Sequence, residues 1–160
     1  MIKNIDHIAI AVSDLEEALS FWRDTLGLKV MHREEVSSQQ VDTAFFEIGA
    51  SKIELVEPTT EDSGIARFVK KQGPSMHHIA LEEEDLSSMI IELKSKGLHL
   101  LNDVPIYGAA GKRAIFIHPD STGGVLLELH SFKTASSLYW ASMVVISEGT
   151  TSLVNMATCI

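Results

Sequence analysis

An internal repeat constrains this chain more than any other feature. Residues 5–31 read IDHIAIAVSDLEEALSFWRDTLGLKVM, and residues 76–102 read MHHIALEEEDLSSMIIELKSKGLHLLN. Each gives a strand, an acidic cap, an amphipathic helix, a glycine and a second strand. His7 aligns with His78, Asp14 with Asp85, Leu15 with Leu86, and Gly27 approximately with Gly97. The later halves match too: AFFEIGASKIELVEP (44–58) and AIFIHPDSTGGVLLELH (114–130) each give a strand, a tight turn and a strand. Each copy therefore reads as β-α-β-β-β. One small sheet with a helix on one face leaves its other face open, and packing two such sheets around a common concave face closes it. The expected fold is α+β: two tandem modules forming a concave mixed β-sheet, with helices on the outside. We expect modules at about 3–58 and 75–132 within one domain, 1–133. A linking helix is expected at about 61–72, before the Gly73-Pro74 break.

Local signals agree with this frame. Leu15, Ala18, Leu19, Trp22 and Leu26 fall on one helical stripe, as do Leu86, Met89, Ile90 and Leu93. Ser13 followed by Glu16 reads as a capping box, and Gly27 and Gly97 read as left-handed stops. Lys70-Lys71 suits the C-terminal end of the linking helix dipole.

Strand alternation then sorts side chains by face. Ile8, Ile10 and Val12 should meet the first helix, with His7, Ala9 and Ala11 on the opposite face. Ile79 and Leu81 oppose His78 and Ala80. Glu54 lies between Ile53 and Leu55, and Glu128 between Leu127 and Leu129. The face away from the helices thus collects two imidazoles, two carboxylates and several alanines. His7 and Glu54 are 47 residues apart, and His78 and Glu128 are 50 apart, a difference the longer 119–124 turn absorbs. A single strand His or Glu is ordinarily solvated or structurally satisfied. The same two residue types at equivalent places in both copies point instead to one shared site. Two carboxylates on a partly enclosed face need a counter-charge, which a divalent cation supplies. We therefore expect His7, Glu54, His78 and Glu128 to bind one divalent metal ion. Without a thiolate, the set suits a borderline or hard ion acting as a Lewis acid. His32, His77, His99, His118 and His130 lack the symmetry and are expected in structural or surface roles, with His77 pointing away from His78.

Composition narrows the partners. The chain has 160 residues, is 45% hydrophobic and carries a net charge of −9. No basic stripe suits nucleic acid, and no run approaches the roughly 20 apolar residues of a membrane span. MIKNIDHIAIAV lacks the pattern of a signal peptide, and the single Cys159 suits a reducing compartment, so a cytoplasmic location is expected. Residues 134–160, small, apolar and hydroxyl-rich, read as a C-terminal extension that packs on a partner or serves as an appendage.

DHIAIAV (6–12), ELVEP (54–58), MHHIAL (76–81), GAAGKRAIFIHP (108–119) and GGVLLEL (123–129) resemble the methylmalonyl-CoA epimerase family of the vicinal-oxygen-chelate superfamily, over about residues 3–132. The resemblance implies metal ligation by His7, His78 and Glu128, completed by Glu54. The favoured ion is cobalt, with zinc, nickel, manganese or magnesium as alternatives. It also implies a homodimer and an isomerase acting on methylmalonyl-CoA or a close 2-substituted acyl-CoA, through proton abstraction and a metal-stabilised enolate, with Glu128 as a catalytic acid/base. Two positions depart from the family. Thr43 stands where some members carry a Glu assigned as the opposite-face base, which leaves Glu47 as a weak substitute. Ala110 stands where Gly is common. Lys112 and Arg113 could meet an acidic ligand group or serve solubility. The competing readings are a lactoylglutathione lyase (glyoxalase)-like enzyme, an extradiol dioxygenase, which four ligands fit poorly, and a non-enzymatic small-ligand-binding protein of the same fold.

Overall fold

The computed structural model describes residues 1–131, so the expectations for 134–160 lie outside the described residues. Eight strands, β1 (Ile2–Ala11), β2 (Val30–Val36), β3 (Val41–Ile48), β4 (Ser51–Pro58), β5 (Ser75–Glu83), β6 (Ile106–Tyr107), β7 (Arg113–Ile117) and β8 (Leu127–Ser131), form one curled sheet. Its order is β2-β3-β4-β1-β5-β8-β7-β6. The β1–β4 and β5–β8 pairs are parallel and the others antiparallel, so the sheet is mixed, as the repeat implies. The two modules meet at the antiparallel β1–β5 pair.

Helices α1 (Leu15–Leu19) and α3 (Leu86–Ser95) cover the outer face. Leu15 and Leu19 pack with Val12, Ala44, Phe46 and Leu55. Leu86 and Ile90 pack with Ile115, Ile117 and Leu129. The linking helix α2 (Gly64–Gln72) lies instead on the concave face, where Ile65 packs with Ala9, Ala11, Val36, Val41 and Val56. Lys70 and Lys71 occupy its last turn, as the dipole argument requires. No helix of the described residues is long and apolar enough to cross a membrane.

Three local expectations need correction. The first helix is capped by Asp14, not Ser13: Asp14 is extended (φ −148°, ψ 118°) and its side chain accepts from the Glu17 N–H at 2.9 Å. The helix starts one residue later than a Ser13 cap would require. After Leu19 the helix widens over Ser20–Thr25, with the Leu26 N–H donating to the Phe21 carbonyl, five residues back. That wider turn takes Leu26 off the stripe and leaves it 52% exposed. The strand expected after Gly97 shrinks to one bridge, Leu100 with Ile117, and the two-residue β6. The Asn102 side chain takes over the pairing, accepting from the Phe116 N–H at 2.9 Å and donating to the Val104 and Ala114 carbonyls.

Candidate metal centre

The four middle strands carry the four predicted side chains in one row: Glu54 on β4, His7 on β1, His78 on β5 and Glu128 on β8. Register brings them level. Ala9 stands opposite both Glu54 and His78, and Ala80 stands opposite both His7 and Glu128. Both alanines are fully buried, so their small side chains make the floor on which the larger groups converge.

Convergence is close. His7 Nε2 lies 3.3 Å from His78 Nε2, 3.2 Å from Glu54 Oε2 and 3.9 Å from Glu128 Oε2. His78 Nε2 lies 3.0 Å from Glu128 Oε2 and 3.9 Å from Glu54 Oε2. All four residues are buried. Two imidazole nitrogens and two carboxylate oxygens at this spacing, with no thiolate, form a donor set that fits one divalent cation. His7, Glu54 and His78 offer atoms that all lie within 4.8 Å of one another, and Glu128 adds the fourth donor on the far side of His78.

The cluster shifts the titration of two of its members. Burial pulls the His7 imidazole down, but hydrogen bonds to Asp6 and Glu54 and the charges of Glu54 and Glu128 outweigh it and raise it to about 9. Burial pushes the Glu128 carboxyl up, but bonds from His130 and His78 and the charges of His78 and His7 hold it well below the usual carboxylate range.

Asp6, His130 and Lys112 also belong to the site, although sequence reasoning missed the first two as site residues. Asp6 Oδ2 lies 2.8 Å from His7 Nδ1 and accepts from Lys112 Nζ at 2.7 Å, and Asp6 Oδ1 accepts from Lys52 Nζ at 2.8 Å. Burial pushes Asp6 up, but bonds from His7, Lys112 and Lys52 outweigh it and keep the carboxylate ionised. His130, expected in a structural or surface role, is fully buried, with Nδ1 3.3 Å from Glu128 Oε1 and Nε2 3.4 Å from Lys112 Nζ. The available signal was Glu128-x-His130, which alternation puts on one face. Lys112 meets an acidic group of the protein itself, Asp6.

His77 reverses its expected orientation. Its Nδ1 lies 2.9 Å from His78 Nδ1, and its ring stands edge-on to Phe68 of α2, with centroids 4.7 Å apart. The cause is a bulge: Ala9 pairs with His78 and Ile10 with Met76, which skips His77 and breaks the alternation. Burial, then the neighbouring His78 charge, lowers His77 to about 4 against the opposing Glu128 charge, so the ring is neutral at pH 7. The remaining histidines keep peripheral places. His32 pairs with Glu34 at 2.9 Å, and His99 stacks on His118 with centroids 4.5 Å apart.

The four donors open into a cavity of about 60 Å³, walled by Val36, Val41, Val56 and Ile65 and by Gln39, Thr43, His77, Ala109, Lys112 and Phe116. Thr43 is buried on this wall, and its hydroxyl lies 3.2 Å from the Glu34 carbonyl, so it brings no carboxylate to the cavity. Glu47 is exposed and borders a second cavity of about 280 Å³ with Met31, His32, Phe45, Lys52 and Ala110. Lys112 borders both cavities. Ala110 sits at φ 54°, ψ 25°, the left-handed region in which a Cβ costs roughly 1–2 kcal/mol. That explains why glycine suits the position. The Ala110 N–H donates to Glu34 Oε1 at 2.6 Å and docks this loop on β2.

The sequence matches the Glyoxalase/Bleomycin resistance protein/Dioxygenase superfamily over residues 6–116. It is 40% identical over 126 residues to the mitochondrial methylmalonyl-CoA epimerase of Mus musculus, covering 78% of this chain and 71% of that one. It is 39% identical over 131 residues to the ethylmalonyl-CoA/methylmalonyl-CoA epimerase of Cereibacter sphaeroides, covering 81% and 98%. The fold is similar, at a TM-score of 0.79, to that of a variant of Streptomyces coelicolor methylmalonyl-CoA epimerase in complex with 2-nitronate-propionyl-CoA. That match has 37% identity and covers 84% of this chain and 97% of the other.

Proposed function

This chain belongs to the methylmalonyl-CoA epimerase family of the glyoxalase/dioxygenase superfamily, and on that premise we propose that it is an isomerase interconverting the epimers of methylmalonyl-CoA or a close 2-substituted acyl-CoA. One observation carries the reading beyond kinship: the row Glu54, His7, His78, Glu128, buried at the end of a small cavity that also has an apolar wall. The wall of Val36, Val41, Val56 and Ile65 suits a short alkyl substituent at C2, while the polar end suits the carbonyl and carboxylate oxygens on either side of it.

His7, Glu54, His78 and Glu128 would hold the divalent ion; their nitrogen and oxygen donors suit a borderline or hard cation, and among such ions the family resemblance favours cobalt. The ion, when bound, supplies positive charge against the negative charge that develops on the substrate as C2 loses its proton. The protein's part is binding and proton transfer. His130 and His78 lie against Glu128 and keep it ionised, which leaves it open to a proton and also makes it a weaker base than a free carboxylate. The polar end lies between module 1 and module 2, and α2 covers the concave face beside it, which limits water. Epimerisation removes the C2 proton on one face and delivers one on the other: Glu128 is assigned one of these two roles, and Thr43, which brings no carboxylate, supplies neither. A homodimer belongs to the same reading.

Epimerisation in deuterium oxide tests the proposal. Metal-replete protein should exchange the C2 proton of methylmalonyl-CoA and interconvert its epimers, and should leave the glutathione hemithioacetal of methylglyoxal unchanged. Absence of exchange at full metal occupancy would overturn it, and turnover of the hemithioacetal would favour the glyoxalase alternative. Metal analysis and sedimentation of the same sample test the ion and the dimer.

A further inference from the structure

Asp6 precedes His7 and His77 precedes His78, so in regular strands each pair would point to opposite faces. The β1–β5 ladder shifts register three times, and two of the shifts fall at equivalent places in the repeat. Ile5 stands opposite Leu81 and His7 opposite Ala80, which skips Asp6; Ala9 stands opposite His78 and Ile10 opposite Met76, which skips His77. Each central strand thus has a bulge at the residue before its imidazole, and a bulge re-aims the side chain it carries. Both residues end up against the ring that follows them: Asp6 Oδ2 at 2.8 Å from His7 Nδ1, and His77 Nδ1 at 2.9 Å from His78 Nδ1.

The chemistry of the partners sets the direction of each bond. An ionised carboxylate only accepts, so His7 must carry its proton on Nδ1. Two Nδ1 atoms share one proton. His78 needs its Nε2 lone pair toward the cluster, so His78 donates and His77 accepts, keeping its own proton on Nε2. We propose that Asp6 and His77 are positioning residues, which the paired bulges aim so that both imidazoles present Nε2 to the metal centre. This rests on the reading of the four-residue cluster as a metal site. The two supports are unequal. Asp6 is an anion held in place by Lys52 at 2.8 Å and Lys112 at 2.7 Å. His77 is a ring held by the edge contact with Phe68. A carboxylate partner makes a ligand imidazole a stronger donor than a neutral ring does, so the Asp6 arm should dominate.

Zinc affinity, measured by competition with a chromogenic chelator, tests this on the full chain. Asp6→Asn should weaken binding by about 10–100-fold, and His77→Phe should weaken it less, by about three- to tenfold. Asp6→Glu restores the carboxylate charge and His77→Asn restores an acceptor, and each should recover part of the loss. Ring proton–nitrogen correlation spectra of the zinc-loaded protein should place a proton on Nδ1 of both His7 and His78. Unchanged affinity in Asp6→Asn and His77→Phe, each unfolding at the wild-type temperature, would overturn the inference, as would Nδ1 ligation in the spectra. Should Asp6→Asn fail to fold, the spectra and His77→Phe decide. C2 proton exchange by the wild type is scored separately. Exchange with unaltered zinc affinity in the variants sinks only the positioning roles, and the predicted affinity order without exchange sinks only the functional reading.

Discussion

Module 1 walls its half of the cup with two long strands, the seven-residue β2 and the eight-residue β3, whereas module 2 uses the five-residue β7 and the two-residue β6. In module 2 the Asn102 side chain replaces part of a backbone ladder. The inner pairs did not diverge in this way. β4 and β1 bring Glu54 and His7 together as β8 and β5 bring Glu128 and His78 together, each across a buried alanine. A site needs register only in the strands that bear it, and the outer strands need only close the wall. The two half-sites still differ in their surroundings: His7 leans on a carboxylate and Glu128 on His130.

The sharpest way to break the comparison is to remove one carboxylate from each half. Glu128→Gln should lower epimerisation at saturating metal by about 10²–10⁴-fold, because a general acid/base is lost. Glu54→Gln should act mainly on metal affinity, with a much smaller loss of kcat once metal is saturating. C2 proton exchange across a metal titration separates the two, and equal losses at saturation would reduce Glu128 to a ligand.

The helical anchors test whether the halves form one cooperative unit, as expected for a domain spanning 1–133. Leu15 is fully buried and Leu86 is 4% exposed, at matching repeat positions. Leu15→Ala and Leu86→Ala should each cost about 2–5 kcal/mol in denaturant unfolding. Both should shift a single transition. Two separated transitions in either variant would show modules that fold independently.

Much of this was legible because the repeat turned weak local signals into paired ones. One strand histidine says little, but His7 with His78 and Glu54 with Glu128 identified the row that the sheet order then displays. Alternation correctly sent Ala9 and Ala80 to the same face. It failed at Asp6 and His77 because a bulge is a property of the pairing between β1 and β5 and not of either strand's pattern. It failed at Leu26 for a related reason: a helical stripe assumes constant turn width, and Ser20–Thr25 widens. Lys112 is far in sequence from Asp6, so nothing local distinguished a site lysine from a surface one.

Acidity should expose His7 as the arm that competes with protons. In the metal-free protein its pKa is raised to about 9, so a proton must leave before the ring can bind an ion. Zinc affinity should climb by about tenfold per pH unit from neutrality and level off near the His7 value, one proton being released per ion below it. The sign for stability is opposite. A raised folded-state pKa stabilises fully below the unfolded value of 6.5 and loses that contribution as pH rises through about 9. Metal-free protein should therefore lose stability across that window, and zinc-loaded protein should not. A flat affinity profile between pH 7 and 9 would mean that the carboxylates around His7 do not hold its proton.

The smallest effects come from the helix starts, where the halves are closest to identical. Asp14 accepts from the Glu17 N–H at 2.9 Å, and Asp85 accepts from the Ser88 N–H at 3.1 Å. Asp85 also takes the Ser88 hydroxyl at 2.6 Å, a bond that module 1 lacks at Glu17. Each cap satisfies one N–H that the first helical turn cannot, so replacement by alanine should cost about 0.5–2 kcal/mol. The extra hydroxyl bond is exposed and local, so it separates the two costs only slightly, with Asp85→Ala the larger. Denaturant midpoints of the two variants measure this directly. A clearly larger cost for Asp14→Ala would mean that the widened turn after Leu19 leaves α1 (only five residues long) more dependent on its cap than α3, which has ten.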